Sequence, residues 1–291
     1  MIIIISSKLN NIIFLYSKNK NLTIKYIIII IIINIYIIEY FLGKKELKKN
    51  NNFELLFLLN QLLDFISYSK FYEDLILFCI FYDVKNGFYI DVGANDPNRI
   101  SVTKAFYLRG WYGINIEPLP DKYMLLLSER KRDLNLQIGV GKEKGIFSFF
   151  ARGASSTLSK KYKKKNAKTI DINIDTMSNV CNKYIEKGKK INFCKIDVEG
   201  GEKNVLLGYD FENCRPEVFC IESTKPGTAI PCYDLWEDIL LKNNYSFVFE
   251  YAINRYYVDN RIEGLRERFY KINKYIKFYK SFKKNKNNYK N

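Results

Sequence analysis

Polar residues recur just behind short apolar runs. Phe88–Val92 carries Asp91 and is followed by Gly93, Ala94, Asn95 and Asp96. Tyr112–Ile116 is followed by Glu117 and Pro118, Leu134–Val140 by Gly141, Ile191–Ile196 by Asp197, Val198, Glu199, Gly200 and Gly201, and the run ending at Glu222 by Ser223. In open α/β sheets, ligands bind beyond the carboxyl ends of the strands, so these are the positions for chemistry. Gly93 lets the chain turn tightly against a ligand. Glu117 lies 26 residues after Asp91, and a carboxylate that far on, at the tip of a second strand, can accept hydrogen bonds from both hydroxyls of a ribose. The first loop lacks G-x-G-x-x-G. A pyrophosphate seeks bare amides and glycines, and Asp91 and Asp96 would repel it. The loop suits a nucleoside bearing an ammonium and a sulfonium, which describes S-adenosylmethionine. Gly141-Lys142 is no phosphate loop either, because Glu143 stands where Ser or Thr is required.

The chain has 291 residues and no histidine. The commonest general base and metal ligand is thus missing, and a proton acceptor must be a carboxylate, Lys, Tyr or Cys. The six cysteines, Cys79, Cys181, Cys194, Cys214, Cys220 and Cys232, include no C-x-x-C pair. They fit neither a zinc ribbon nor a disulfide scaffold and read as reduced core thiols. Nothing demands a metal.

Strand-like and helix-like runs must position these residues. Residues 53–81 have helical spacing. Strands are expected at 88–92, 112–116, 134–140, 191–196 and 217–222, with 145–150 extending an edge, and 245–251 with 255–258 forming an antiparallel hairpin. Helices are expected at 101–109, 121–130, 176–187, 203–207 and 233–242. Repeated strand–helix units imply an α/β fold with a mostly parallel sheet and helices on both faces. A hairpin closing such a sheet is the layout of a Rossmann-like class I methyltransferase. Trp111 and Tyr112 read as core, and Trp236 as core or pocket. Lys195 reads as a structural residue pointing away from the site.

The organisation follows composition: a low-complexity extension (1–50), a helical lead-in (51–86), the main domain (87–260) and a basic tail (261–291). The net charge is +16, and most of the excess lies at the ends. The tail alone carries eleven Lys and Arg against Glu263 and Glu267. Such ends can meet an anionic membrane, or simply reflect a Lys- and Asn-rich composition. No RNA- or DNA-binding motif accompanies them. Tyr26–Leu42 holds seven consecutive isoleucines and is long enough, at the short limit, for a membrane anchor. The Lys-rich stretch 155–168 reads as a solvated loop or an acceptor lid.

Three segments carry a family resemblance: Phe88–Pro120, Ile191–Phe211 and Pro216–Ser223. In order and spacing they resemble the FkbM family of S-adenosylmethionine-dependent methyltransferases. The likeness covers roughly residues 67–260. Ser69–Asp74 resembles a further family segment, Ser-Gln-x-Gly-Glu-Asp, with Lys70 in place of Gln and Tyr72 in place of Gly. The resemblance implies that Asp91, Gly93, Asn95, Glu117, Pro118 and Glu73 hold S-adenosylmethionine, with Glu117 on the ribose. It places Asp197 and Glu199 beside the transferring methyl as catalytic residues. The two share one face only if their turn stays extended, and both could instead cap the next helix. Many relatives methylate hydroxyls near polysaccharide or glycolipid assembly, so a sugar hydroxyl is the expected acceptor. The enzyme is expected on the cytosolic side, attached to the membrane if the anchor is real. Its oligomeric state is not legible. The competing readings are an inactive membrane-attached scaffold with the same fold and a nucleic-acid methyltransferase.

Overall fold

The computed structural model describes residues 58, 61, 62, 64–151, 165 and 168–288. The chain divides into two compact units, residues 66–280 and residues 1–65 with 281–291. In the second, Leu58, Leu62 and Phe65 are buried. Tyr26–Leu42 and nearly all of 155–168 lie outside the described residues. Among the described residues no helix is long and apolar enough to cross a membrane.

The unit 66–280 opens with helix α1 (Glu73–Ile80), buried at every position. Strand β1 (Phe88–Val92), helix α2 (Lys104–Leu108), strand β2 (Tyr112–Ile116), helix α3 (Pro120–Glu129) and strand β3 (Leu134–Leu136) follow. Next come β4 (Gly139–Val140), β5 (Gly145–Ala151), β6 (Lys168–Asp175), α4 (Met177–Tyr184), β7 (Ile191–Ile196), α5 (Glu202–Leu207) and β8 (Pro216–Glu222). A 3-10 turn at Tyr233–Leu235 leads to α6 (Glu237–Lys242), β9 (Tyr245–Tyr251) and β10 (Asn254–Asp259). The region read as a basic tail then forms α7 (Leu265–Phe269) and α8 (Ile272–Asn288), with Leu265, Phe269, Ile272 and Ile276 buried.

The seven-stranded sheet has the order β3-β2-β1-β7-β8-β10-β9. All pairs from β3 to β8 are parallel, and β10 runs antiparallel to both β8 and β9. In β1, β7, β8 and β10 every residue is buried. Successive side chains point to opposite faces, so both faces of the sheet centre are covered. That requires apolar runs rather than alternation, which is how these strands read in the sequence. On one face Ile90, Val92, Ile114, Ile116, Ile196 and Ile221 join one core, which also takes in Trp236. The alternate positions carry Tyr89, stacked on Phe193 at 5.7 Å, and Asp91, paired in register with Lys195.

The expected third strand is broken. Its first half, β3, stays in the large sheet; its second half, β4, enters a three-stranded sheet of order β4-β6-β5. The run at 145–150 therefore extends no edge of the large sheet. It pairs antiparallel with β6, which lay unassigned in the sequence reading. Leu119, Phe149, Ile172 and Ile174 form the core there. The expected helix at 101–109 is shortened to α2.

The cysteines differ from expectation too. Cys181 on α4 and Cys214 before β8 form a disulfide, with Cα atoms 5.7 Å apart, a normal span for such a bond. They are 33 residues apart in sequence, and only the fold joins them. Cys79, Cys194, Cys220 and Cys232 are buried free thiols.

Helix α4 starts with a side-chain cap: the Asn179 N–H donates to Thr176 Oγ1 at 3.1 Å. Thr176→Ala is expected to cost about 1 kcal/mol, and Thr176→Ser much less, by urea denaturation.

Candidate functional site

The ends of β1, β2, β7 and β8 open on a cleft of about 940 Å³. At the end of β1, Gly93 turns with φ +77°. Gly93 and Ala94 both donate their N–H to Ile116 O, at 3.0 and 3.1 Å. A Cβ on Gly93 would lie 2.0 Å from Asp197 O. The turn thus packs directly against the end of β7, where the Asp197 N–H donates to Val92 O at 3.1 Å.

Glu117 is buried at the tip of β2. Its Oε2 accepts from Asn95 N at 2.8 Å and its Oε1 from Leu119 N at 2.9 Å. Burial raises its pKa, and these two N–H bonds oppose the rise. A carboxylate offers about four lone-pair sites, so each oxygen keeps one acceptor position. Asn95 itself has φ +50°. Its Oδ1 is buried without a hydrogen-bond partner among the described residues.

Arg130, fully buried, fixes the loop beyond Asn95. It donates to Pro97 O at 2.7 Å and Ser101 Oγ at 2.9 Å. Ile100 in that loop has φ +56° and is 64% exposed in the cleft wall. Glu199 (φ +54°) lines the cleft, and Tyr72 (φ +61°) sits between the lining residues Phe71 and Glu73. Non-glycine residues at such φ values are uncommon and gather at functional sites. At position 72 the likeness pointed to glycine, and the backbone adopts the conformation glycine takes most easily. Glu73 accepts from Phe71 N at 2.8 Å and from Asn254 Nδ2 at 3.0 Å.

Seven of the eight sequence-predicted site residues line the cleft: Glu73, Gly93, Asn95, Glu117, Pro118, Asp197 and Glu199. Asp197 and Glu199 do so although their turn is not extended. Asp91 is not in the wall. It is 1% exposed, accepts from Thr103 Oγ1 at 2.9 Å, and stands 3.5 Å from Lys195 Nζ.

Lys195 faces the site, against the expectation that it points away, and its contacts there are structural ties. It lines the cleft, donates to Gly93 O at 2.9 Å and lies 3.5 Å from Asp197 Oδ2. Burial disfavours its charge, but Asp197 and Asp91 outweigh that and raise its pKa. Positions 195 and 197 are two apart and Asp91 faces 195 in register, so strand parity alone carried the signal. Glu222, at the end of β8, is a second lining residue left out of the predicted set. Among the described residues no group of three or more His, Cys, Asp or Glu side chains could hold a metal ion.

Glu202 supports the turn after Asp197. Its Oε1 accepts from Val198 N at 3.2 Å and Gly200 N at 3.1 Å. Burial pushes its pKa to about 7. Between its unfolded value, near 4.5, and about 7, the folded chain binds more protons than the unfolded one. Stability therefore falls as pH rises through that window. Glu202→Gln is expected to remove this loss, gaining on the order of 2 kcal/mol over the parent at pH ~8 and little at pH ~5. Melting temperatures across that range check it; a constant difference would refute the assignment.

In a covered, mostly parallel sheet, the polar cleft at the strand tips is where ligands bind. The chain matches the model of the methyltransferase FkbM domain over residues 91–247 and belongs to that family. The match runs from Asp91 in β1 into β9 and so takes in all the strand ends of the cleft. No curated protein matches the chain.

Proposed function

We propose that the chain is an S-adenosylmethionine-dependent methyltransferase of the Rossmann-like class I type. Its acceptor is a hydroxyl on a saccharide or glycolipid. The observation that carries this reading is Glu117, a buried carboxylate fixed by two backbone N–H groups with acceptor positions to spare, beside the Gly93 turn. Those residues fit a ribose diol. The orphaned Asn95 Oδ1 fits a donor group of the same ligand. Pro118 gives the wall an apolar surface next to Glu117. Glu73 suits its ammonium.

Bound there, S-adenosylmethionine would supply an already activated methyl group. The chain's own part is positioning, which can account for much of the rate in such a displacement. Lys195 ties Gly93, Asp91 and Asp197 together and so sets the spacing of the β1 and β7 tips. Asp91 acts through Lys195 rather than by touching the ligand. Asp197 and Glu199 are the carboxylates placed to receive the acceptor proton. On this reading the enzyme works where its methyl donor is made, on the cytosolic side, and Tyr26–Leu42 holds it at the membrane.

The test is calorimetric titration of S-adenosylmethionine and S-adenosylhomocysteine, followed by transfer of labelled methyl to a panel of glycans and glycolipids. Binding at about micromolar Kd with label on a sugar hydroxyl supports the reading. Folded protein that binds neither nucleoside overturns it.

A further inference from the structure

Glu222 is used by nothing described so far. It is 5% exposed, lines the cleft at the end of β8, and its Oε2 has no hydrogen-bond partner among the described residues. Asp197 follows Ile196, which pairs in register with Ile221, so Asp197 and Glu222 stand side by side at the tips of β7 and β8, and both line the cleft. Two neighbouring carboxyl groups resist ionising together, and they hydrogen-bond to each other once one keeps a proton. The two differ in access: the Asp197 side chain is 37% exposed, whereas Glu222 is sealed from solvent.

We infer that Asp197 and Glu222 form one unit with a single proton and a single negative charge, in which neutral Glu222 orients Asp197 to receive the proton released by the acceptor hydroxyl. This rests on the methyltransferase reading above and assigns Glu222 as a positioning residue within it.

The groups facing Glu222 agree. Burial first, and then the charges of Asp197, Glu202 and Glu199, push its pKa up, so the proton stays on it at neutral pH. The Cys232 thiol is also beside it, with a raised pKa that keeps it neutral. Of the cations nearby, Lys195 is taken up by Asp91 and Asp197, and Lys225 acts on Cys232. Glu73 is held by Asn254, which pairs in register with Glu222. Among the four side chains Asp91, Asp197, Lys195 and Glu222, a neutral Glu222 leaves one net negative charge. A sulfonium ligand with one net positive charge balances it.

Charge then stays balanced through the transfer. The acceptor oxygen bonds to the methyl carbon, the carbon–sulfur bond breaks, and its electron pair remains on sulfur. The acceptor O–H bond breaks and its proton goes to Asp197. The positive charge lost from sulfur is replaced by that proton, which leaves to solvent through the exposed edge of Asp197.

The test needs no acceptor. S-adenosylmethionine and S-adenosylhomocysteine are titrated calorimetrically into the full chain, in two buffers of unlike ionisation heat. The uncharged thioether is expected to bind with uptake of about one more proton than the sulfonium. Asp197→Asn should abolish that difference and weaken sulfonium binding ~10-fold or more. Glu222→Ala should weaken it comparably, and Glu222→Gln, which still donates a hydrogen bond, should restore both affinity and proton uptake to within ~3-fold. Melting curves establish that each variant is folded. Equal proton counts for the two ligands overturn the proposal, and so does a Glu222→Gln variant as impaired as Asp197→Asn, since Glu222 would then be a second anion. Absence of any binding heat overturns the methyltransferase reading itself and this inference with it, a result distinct from intact binding without proton linkage.

Discussion

Gly93→Ala is expected to lower stability by about 4 kcal/mol and to abolish nucleoside binding. Two costs add. The left-handed backbone, φ +77°, charges any L side chain about 1–2 kcal/mol. The new Cβ would also meet Asp197 O at 2.0 Å. That neighbour is backbone, held by Asp197 N–H to Val92 O, and cannot rotate away. Relief requires β1 and β7 to part at their tips, which are the two strand ends carrying Asn95 and Asp197. In a unit of this size the loss corresponds to a melting temperature lower by about 10 °C. A variant melting within about 2 °C of the parent would show that the turn relaxes and that the close packing described here is wrong.

Glu117→Ala is expected to reduce affinity for S-adenosylmethionine ~100-fold with a smaller loss of stability. The carboxylate would offer acceptors to two hydroxyls, and each bond to a charged group contributes ~1.5–3 kcal/mol. The same truncation strands Asn95 N and Leu119 N, so the loop beyond β1 loosens as well. Glu117→Gln separates the two effects. It keeps one carbonyl acceptor and should lose ~10-fold. Calorimetric Kd values decide it; affinity within ~3-fold of the parent for Glu117→Ala would remove Glu117 from the ribose site.

The central strands were legible because burial on both faces favours mostly apolar runs, and Phe88–Val92, Ile191–Ile196 and Glu217–Glu222 come close, broken inside only by Asp91, Asn192 and Lys195. Their polar ends marked the cleft. The strand β6 was equally readable: Ile170, Ile172 and Ile174 alternate with polar residues, the period of a half-buried strand, but the Lys-rich stretch runs straight into it with no turn signal to mark its start. The break between β3 and β4 had no local signal, since a strand changing sheets keeps its backbone conformation. The Cys181–Cys214 pairing was illegible for a different reason, being set by where α4 and the chain before β8 meet. Lys195 and Glu222 were missed because a residue's chemistry was judged singly. What matters there is the neighbour across the sheet, Asp91 for one and Asp197 for the other.

The pairing of β1 with β7 has a consequence for how the chain acquires its shape. Tyr89 meets Phe193 and Asp91 meets Lys195, roughly a hundred residues further along. Closing so long a loop is paid for before any contact rewards it, and topologies dominated by such pairings fold slowly. The hairpin β9–β10, by contrast, closes locally. Because the cleft draws on residues from Lys70 to Ile253, it comes into being only after synthesis has delivered nearly the whole domain. Any molecule that fits it then acts as a late clamp, trapping the assembled state by mass action.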